Sequence, residues 1–255
     1  MMRVIKVGGR PQSDPLLPTA LAAAHRMLPG SLVVVHGGGD EVSRLQRLHG
    51  AEARFSGGRR VTSQLDIEII RMALSGSANK RLVSALVAAG VPALGLSGED
   101  AALLSASPLD PTRYGFVGVP ARVNVELLRY LTRGGYLPVL SPVSHSTDAS
   151  LSPVLNVNGD DAAAEIAMAL GAEELLLVTD VAGVLVNGVA VGTLAPEHAQ
   201  QLVDDGTAHG GMGAKLQAAL AALLGGVERV RISDITAIEQ LDRGTVLTRV
   251  GSVCA

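Results

Sequence analysis

One stretch, Ser31 to Gly39, constrains the fold more than any other: SLVVVHGGG is an apolar run with a β-branched centre that stops at three glycines. Such a run suits a strand buried on both faces of a parallel sheet, and the glycines let backbone approach a ligand closely. Asp40 to His49, closed by Gly50, reads as a helix with Asp40 as its N-cap. The loop therefore sits at a helix N-terminus, where unpaired N–H groups and the helix dipole favour phosphate or carboxylate. An ordinary tight turn between strand and helix would carry the same letters, so this motif alone leaves both readings open.

The preceding segment supplies a partner strand. Arg3 to Val7 alternates and ends at Gly8-Gly9, which places Lys6 beside a glycine turn. Lys6 is either a charge that protects a sheet edge or a group awaiting an anionic partner. Thr19 to Leu28 is an Ala-rich helix stopped by Pro29-Gly30, giving β-α-β and hence a parallel sheet. With 255 residues, 47% hydrophobic and 18% charged, the chain can bury a large core. A net charge of −3 without a basic block argues against nucleic acid or a membrane surface as partner and leaves small molecules. The single cysteine, Cys254, excludes a disulfide or Cys-based metal site within the chain. No apolar leader or membrane-length run occurs, so a cytoplasmic location is expected.

Ser56 to Thr62 is a glycine-flexible segment carrying Arg59 and Arg60, which are solvated loop charges or, being planar donors, a grip for a carboxylate. Ser63 and Asp66 resemble a capping box, and a helical pattern follows from Gln64 to Ala89 with a break expected near Ser75-Gly76-Ser77. Asn79, Lys80 and Arg81 read as a solvent-exposed turn of that helix. Val91 to Ser97 reads as a buried strand, with Gly98-Glu99-Asp100 at its C-terminal end as a candidate pocket wall. Leu103 to Ala121 reads as a small antiparallel hairpin over the sheet, a candidate lid. Val125 to Thr132 is helical and Tyr136 to Pro142 a strand.

The second half repeats the grammar with other loops. Val154 to Asp161, VLNVNGDD, brings Asn156, Asn158 and Asp160 to the start of an Ala-rich helix, with Asp160 at the expected N-cap. Capping or loop chemistry explains each singly, yet alternation points both asparagines to one side, more polar groups than a cap requires. Leu175 to Val178 is a buried strand ending in Thr179-Asp180, and Asn187-Gly188 marks a hairpin within Val184 to Val191. Pro196 to Asp204 is helical. A last helix, Ala214 to Leu224, follows HGGMG and puts Lys215 in its first turn, where the dipole opposes a cation and an anionic partner is required. Arg229 to Ile232 and Thr245 to Leu247 finish the sheet.

In order and spacing, IKVGG, VHGGG, GRRVT, GSANKRLV, GLSGED, GYLPVLSP, LNVNGDDAA, TDVAGVL and GGMGAKLQAAL resemble the amino-acid kinase family, and within it the acetylglutamate kinase branch. The resemblance runs nearly end to end. It implies an α/β fold, a three-layer αβα sandwich around a mainly parallel sheet. It implies a single domain over 1–255 whose N-terminal half, to about residue 150, binds the acceptor, while 151–255 binds ATP. The implied reaction moves a phosphoryl group from ATP to the side-chain carboxylate of N-acetyl-L-glutamate, as in arginine biosynthesis. A carboxylate is already ionised near neutral pH and needs no general base, so catalysis rests on positioning and charge neutralisation. Lys6 and Lys215 match the family lysines on the transferring phosphoryl, and Asp160 the aspartate that orients both. Gly9, Gly38 and Gly39 would hold phosphoryl and acceptor through backbone N–H groups. Arg60 and Asn156 match the α-carboxylate grip, with Asn158 in the same cluster. Thr179, Asp180, Val181, Gly183, Val184, Leu185, Gly211 and Met212 match the adenine and ribose pocket. Mg2+ would be held chiefly by ATP phosphates, so no metal site built from the protein is expected.

Two residues depart from the family pattern. Arg10 stands where a small or neutral residue is expected, and Arg59 replaces an apolar neighbour of the substrate arginine. Their charge either favours a more acidic acceptor or is solvated. Related kinases act on α-aminoadipate carried by an acidic carrier protein; the basic insertions of that subgroup are absent around GRRVT, which favours the free amino acid. The chain starts at its first strand, without the helix associated with hexamers and arginine feedback, so an arginine-insensitive homodimer is expected. A non-catalytic amino-acid sensor on the same fold would have no use for Lys6, Asp160 and Lys215 together.

Overall fold

The computed structural model describes residues 2–148, 150–186 and 188–249. The chain opens with β1 (Arg3–Val7), α1 (Leu17–Met27), β2 (Leu32–His36) and α2 (Gly39–Leu48). The strands pair in parallel, Arg3 opposite Leu32 through Val7 opposite His36, and every residue of both is buried, including the charged Arg3 and Lys6, which therefore need partners inside the protein. A small ribbon outside the main sheet follows, β3 (Arg54–Ser56) against β4 (Arg59–Val61). Next comes α3 (Gln64–Ile70), capped reciprocally by Ser63 and Asp66. The break expected near Ser75-Gly76-Ser77 does not occur. The helix widens into a π-helical stretch, Arg71–Ala78, and continues as α4 (Asn79–Ala88).

The middle of the chain holds β5 (Ala93–Gly98), β6 (Leu104–Pro108), α5 (Pro111–Tyr114), β7 (Val117–Val123), α6 (Val125–Arg133) and β8 (Leu137–Ser146). Then come β9 (Val154–Val157), α7 (Gly159–Leu170), β10 (Glu174–Val178) and the hairpin β11 (Leu185–Val186) with β12 (Val189–Ala190), whose turn residue Asn187 lies outside the described residues. The chain closes with α8 (Pro196–Asp204), α9 (Gly210–Leu224), β13 (Arg229–Ser233) and β14 (Thr245–Thr248). Cys254 lies outside the described residues.

Ten strands form one mainly parallel sheet in the order β14-β13-β10-β1-β2-β8-β6-β7-β9, with β5 also on β8. Alternation sends Val4, Val33, Val35, Leu175 and Leu177 to one face, against α7 and α9. Ile5, Val34, Leu176 and Val178 go to the other, against α1 and α4, which makes three layers. The Ala-rich faces of α7 and α9 let these two helices pack closely together over the sheet. No helix among the described residues is long and apolar enough to cross a membrane.

Several local expectations are corrected. The β6–β7 hairpin is no lid: it joins the sheet through β8, because Leu104 and Ala106 carry buried side chains that only the core can cover. β5 is half-exposed rather than buried, since its ladder partner is β8 alone and Leu94 faces outward. Asn79 is fully buried, while Lys80 and Arg81 are exposed. α2 begins at Gly39, after Gly38 with φ 145°, so Asp40 lies in the first turn and is not the cap. Asn158, not Asp160, caps α7: its Oδ1 accepts the N–H groups of Asp160 at 2.7 Å and Asp161 at 3.4 Å. α9 begins at Gly210, which moves Lys215 into the second turn, where the dipole penalty is weaker.

Candidate active site

The parallel strands β1, β2 and β10 end on one rim of the sheet, the edge where open α/β sheets hold ligands. Lys6 lies one residue before the end of β1, on the face covered by α7 and α9. Because Asn158 satisfies the helix start, the Asp160 carboxylate is free to receive cations. Lys6 Nζ lies 2.8 Å from Asp160 Oδ1 and Lys215 Nζ 3.3 Å from Oδ2. All three residues are buried. Gly159 makes this crossing possible: a Cβ there would sit 3.2 Å from Lys6 Cε. Burial by itself pushes the Asp160 carboxyl up, but the Lys6 and Lys215 charges outweigh it and hold it below the ordinary carboxylate value. Burial, reinforced by the Lys6 charge, draws the Lys215 ammonium below the ordinary lysine value, and Asp160 offsets only part of that.

A cleft of about 220 Å³ opens on one side of Lys6 and Asp160, lined by Gly9, Gly38, Gly39, Arg60, Asn156 and Asn158 among others. The two glycine turns face each other, for a Cβ on Gly9 would lie 3.7 Å from the Gly39 nitrogen. A Cβ on Gly38 would collide with Leu74 at 2.7 Å, and its positive φ excludes other residues as well. The N–H groups at the start of α2 have no intrahelical acceptor and are available to an anion. Arg60 is held at the cleft by Gln46 Oε1 (2.5 Å), Gly39 O (3.1 Å) and Ser43 Oγ (3.0 Å), with Phe55 under its guanidinium at 4.8 Å. Gln46 in turn donates to Asp66. Asn156 donates to Thr62 Oγ1 at 3.0 Å. Sequence reasoning missed Ser43, Gln46 and Phe55, although Ser43 and Gln46 at helical i,i+3 spacing give a usable signal.

Two further residues brace the floor. Gly37 O accepts from His36 Nδ1 at 2.8 Å, which fixes the tautomer and leaves Nε2 to accept from Asn79 Nδ2 at 3.0 Å. Burial pulls the His36 pKa down to about 4, so the ring is neutral near pH 7. Asn79 also donates to Val139 O at 2.9 Å, tying the end of the π-helical segment to β2 and β8.

A second cleft opens on the other side of the lysines. Lys6, Lys215, Gly9, Thr179, Asp180, Val181, Gly211 and Met212 line it, together with Arg10. It is adjacent to an apolar pocket of Val181, Val184, Leu185, Leu202, His209 and Met212. Leu202 and His209 are lining residues that sequence reasoning missed. Gly183 serves packing: a Cβ there would meet Thr245 Oγ1 at 2.6 Å, the same oxygen that accepts the Val184 N–H. Arg59 is not a free charge beside the acceptor cleft, since it pairs with Asp161 at 2.8 Å. Burial raises the Asp161 carboxyl, an effect that Arg59 only partly counters.

Comparison with known proteins agrees with this architecture. The chain is 42% identical over 247 residues to acetylglutamate kinase of Chloroflexus aurantiacus, covering 96% of each chain. It is 40% identical over 255 residues to acetylglutamate kinase of Roseiflexus castenholzii, covering 98% of this chain and 95% of that one. Among solved structures it superposes on smu.665 from Streptococcus mutans with a TM-score of 0.87 at 29% identity, over 97% of this chain and 98% of the other. A model of the amino acid kinase family matches residues 1–234. With that match over most of its length, the chain belongs to the amino acid kinase family.

Proposed function

We propose that the protein transfers the γ-phosphoryl group of ATP to the side-chain carboxylate of N-acetyl-L-glutamate. The observation that carries the reading is one buried carboxylate, Asp160, holding two ammonium groups between two clefts. The cleft with Arg60 and Asn156 takes the acceptor, whose α-carboxylate suits the guanidinium fork. The cleft with Thr179, Asp180 and Met212 takes the nucleotide, its adenine over Val184 and Leu185. On this reading residues up to about 150 supply most of the acceptor side, joined by Asn156 and Asn158, and the later residues most of the ATP side, joined by Lys6, Gly9 and Arg10.

The acceptor's carboxylate oxygen attacks the γ-phosphorus in line, and the bond to the β,γ-bridging oxygen breaks with its electron pair leaving on ADP. No proton moves, so the protein contributes position and charge. Lys6 and Lys215 donate to the equatorial and bridging oxygens as charge develops. N–H groups of Gly9, Gly38 and Gly39 hold the phosphoryl from the opposite side. Mg2+ bound with ATP would neutralise charge on the polyphosphate and would be held chiefly by the nucleotide's phosphates, while both Asp160 oxygens stay engaged by the lysines.

Carrier-linked α-aminoadipate is the competing acceptor. The relatives named acetylglutamate kinase, at about 40% identity over nearly the full chain, favour the free amino acid. An ATP-dependent hydroxamate assay with N-acetylglutamate, glutamate and carrier-linked aminoadipate tests the reading. Acyl phosphate formed from N-acetylglutamate alone is expected. Product from the carrier-linked acceptor alone would refute the assignment. A homodimer is the assembly expected with this activity, and sedimentation at assay concentration checks it.

A further inference from the structure

We propose that Arg10 is a polyphosphate-contacting residue, a third cation on the nucleotide beyond Lys6 and Lys215. This rests on the phosphotransferase reading and adds a residue to its nucleotide side. Arg10 follows the Gly8-Gly9 turn and opens a short 3-10 turn, Arg10–Ser13, so the glycine loop that faces the second cleft also carries its guanidinium. It lines that cleft with Lys6, Lys215 and Asp180. Its partner is the Asp180 carboxylate, at 2.5 Å, from the loop after β10. The Arg10 side chain is 77% exposed and that of Asp180 44%. An ion pair this open contributes little to stability, because water and salt screen it. It therefore does not account for the placement of a planar, multi-donor cation at the mouth of a cleft with two lysines.

The charge count points the same way. Lys6, Lys215 and Arg10 face Asp160 and Asp180, leaving one net positive charge before any ligand enters. A triphosphate supplies several negative charges and an array of acceptor oxygens matched to a guanidinium fork. Only one Arg10 nitrogen is engaged by Asp180, so its remaining N–H donors can meet a phosphate oxygen with the pair intact or broken. Asp180 thus holds the guanidinium at the rim until the nucleotide arrives.

Calorimetric titration of ATP, ADP and AMP into wild type, Arg10→Met and Arg10→Lys decides the matter. Arg10→Met is expected to weaken ATP binding about tenfold or more and to leave AMP within about twofold. Arg10→Lys should recover part of the loss, and the salt dependence of ATP affinity should flatten in Arg10→Met. Unchanged ATP affinity in Arg10→Met, or an equal loss for ATP and AMP, would overturn the assignment. Because binding is read apart from turnover, the two readings fail separately. Wild type that binds ATP but leaves N-acetylglutamate unphosphorylated refutes the function, whereas an active wild type with an indifferent Arg10→Met refutes only this contact.

Discussion

Two buried clusters in this molecule share a design, one carboxylate between cations, and sit at opposite ends of the same strands. At the N-terminal ends, Glu174 joins Arg3 at 2.6 Å, Arg231 at 3.1 Å and Arg229 at 2.6 Å. Arg3 and Arg231 also spend donors on backbone: Arg3 reaches the carbonyls of Ile238 and Ala237, and Arg231 those of Gln240, Arg243 and Ala237, while Arg229 adds only its ion pair. At the C-terminal ends, Asp160 joins Lys6 and Lys215, whose ammonium groups carry more donors than one carboxylate oxygen accepts and face two clefts. The first cluster turns Arg3 and Arg231 inward onto backbone carbonyls and pins segment 237–243 against the sheet. The second reserves its hydrogen-bonding capacity for an anion. Side-chain type suits each task, since a guanidinium fork locks into fixed carbonyls and a compact ammonium follows a moving phosphoryl.

The two clusters therefore fail differently when a member is removed. Glu174→Ala leaves two arginines buried without their anion and is expected to cost about 3–5 kcal/mol of stability, with turnover per folded molecule unchanged. Denaturant unfolding and active-site titration together check it, and a variant that loses turnover while keeping its midpoint would erase the contrast. Lys215→Ala should do the reverse, lowering kcat about 10²- to 10³-fold with little change in stability or in the acceptor Michaelis constant.

A pH comparison sharpens the point. Burial raises the Glu174 carboxyl, but the arginines outweigh it and hold it below its ordinary 4.5. A depressed folded-state value means stability that is present above the unfolded value and lost as pH falls through the folded one. Acid unfolding of wild type below about pH 4.5 should therefore contain a component that Glu174→Gln lacks. At the other extreme, the lowered Lys215 value predicts an alkaline fall in kcat that begins below the ordinary lysine value of 10.5, unmoved by Glu174→Gln. The smallest effect is expected from Arg60→Ala. It should raise the acceptor Michaelis constant about tenfold at nearly constant kcat, because its grip is common to ground and transition states.

Much of this was legible in the letters. The β1 and β2 runs, the glycine turns after them, the capping box at Ser63 and the helix Pro196–Asp204 are short-range patterns, and each forms where its own propensity directs. The convergence of Lys6, Asp160 and Lys215 was inferred from the motifs and is realised at 2.8 and 3.3 Å. Other features had no local signature. A helix cap shifted by two residues, from Asp160 to Asn158, depends on where the strand before it ends. The β6–β7 pair reads as a hairpin in sequence whether it lies over the sheet or in it, and β8 decides. Asn79 looks like a polar surface residue until His36 and Val139 close around it.

By itself, then, the sequence determined the strand and helix alphabet, the glycine loops and the identity of the charged groups that carry the chemistry, because these follow from residue spacing and backbone freedom. Only the tertiary structure decided which charges are spent on one another. Arg3 and Glu174 are 171 positions apart, and the pairing of Arg59 with Asp161 or Arg10 with Asp180 likewise joins distant segments. Electrostatic partnership depends on distance through space and on exclusion of water, and neither is encoded until the sheet has assembled.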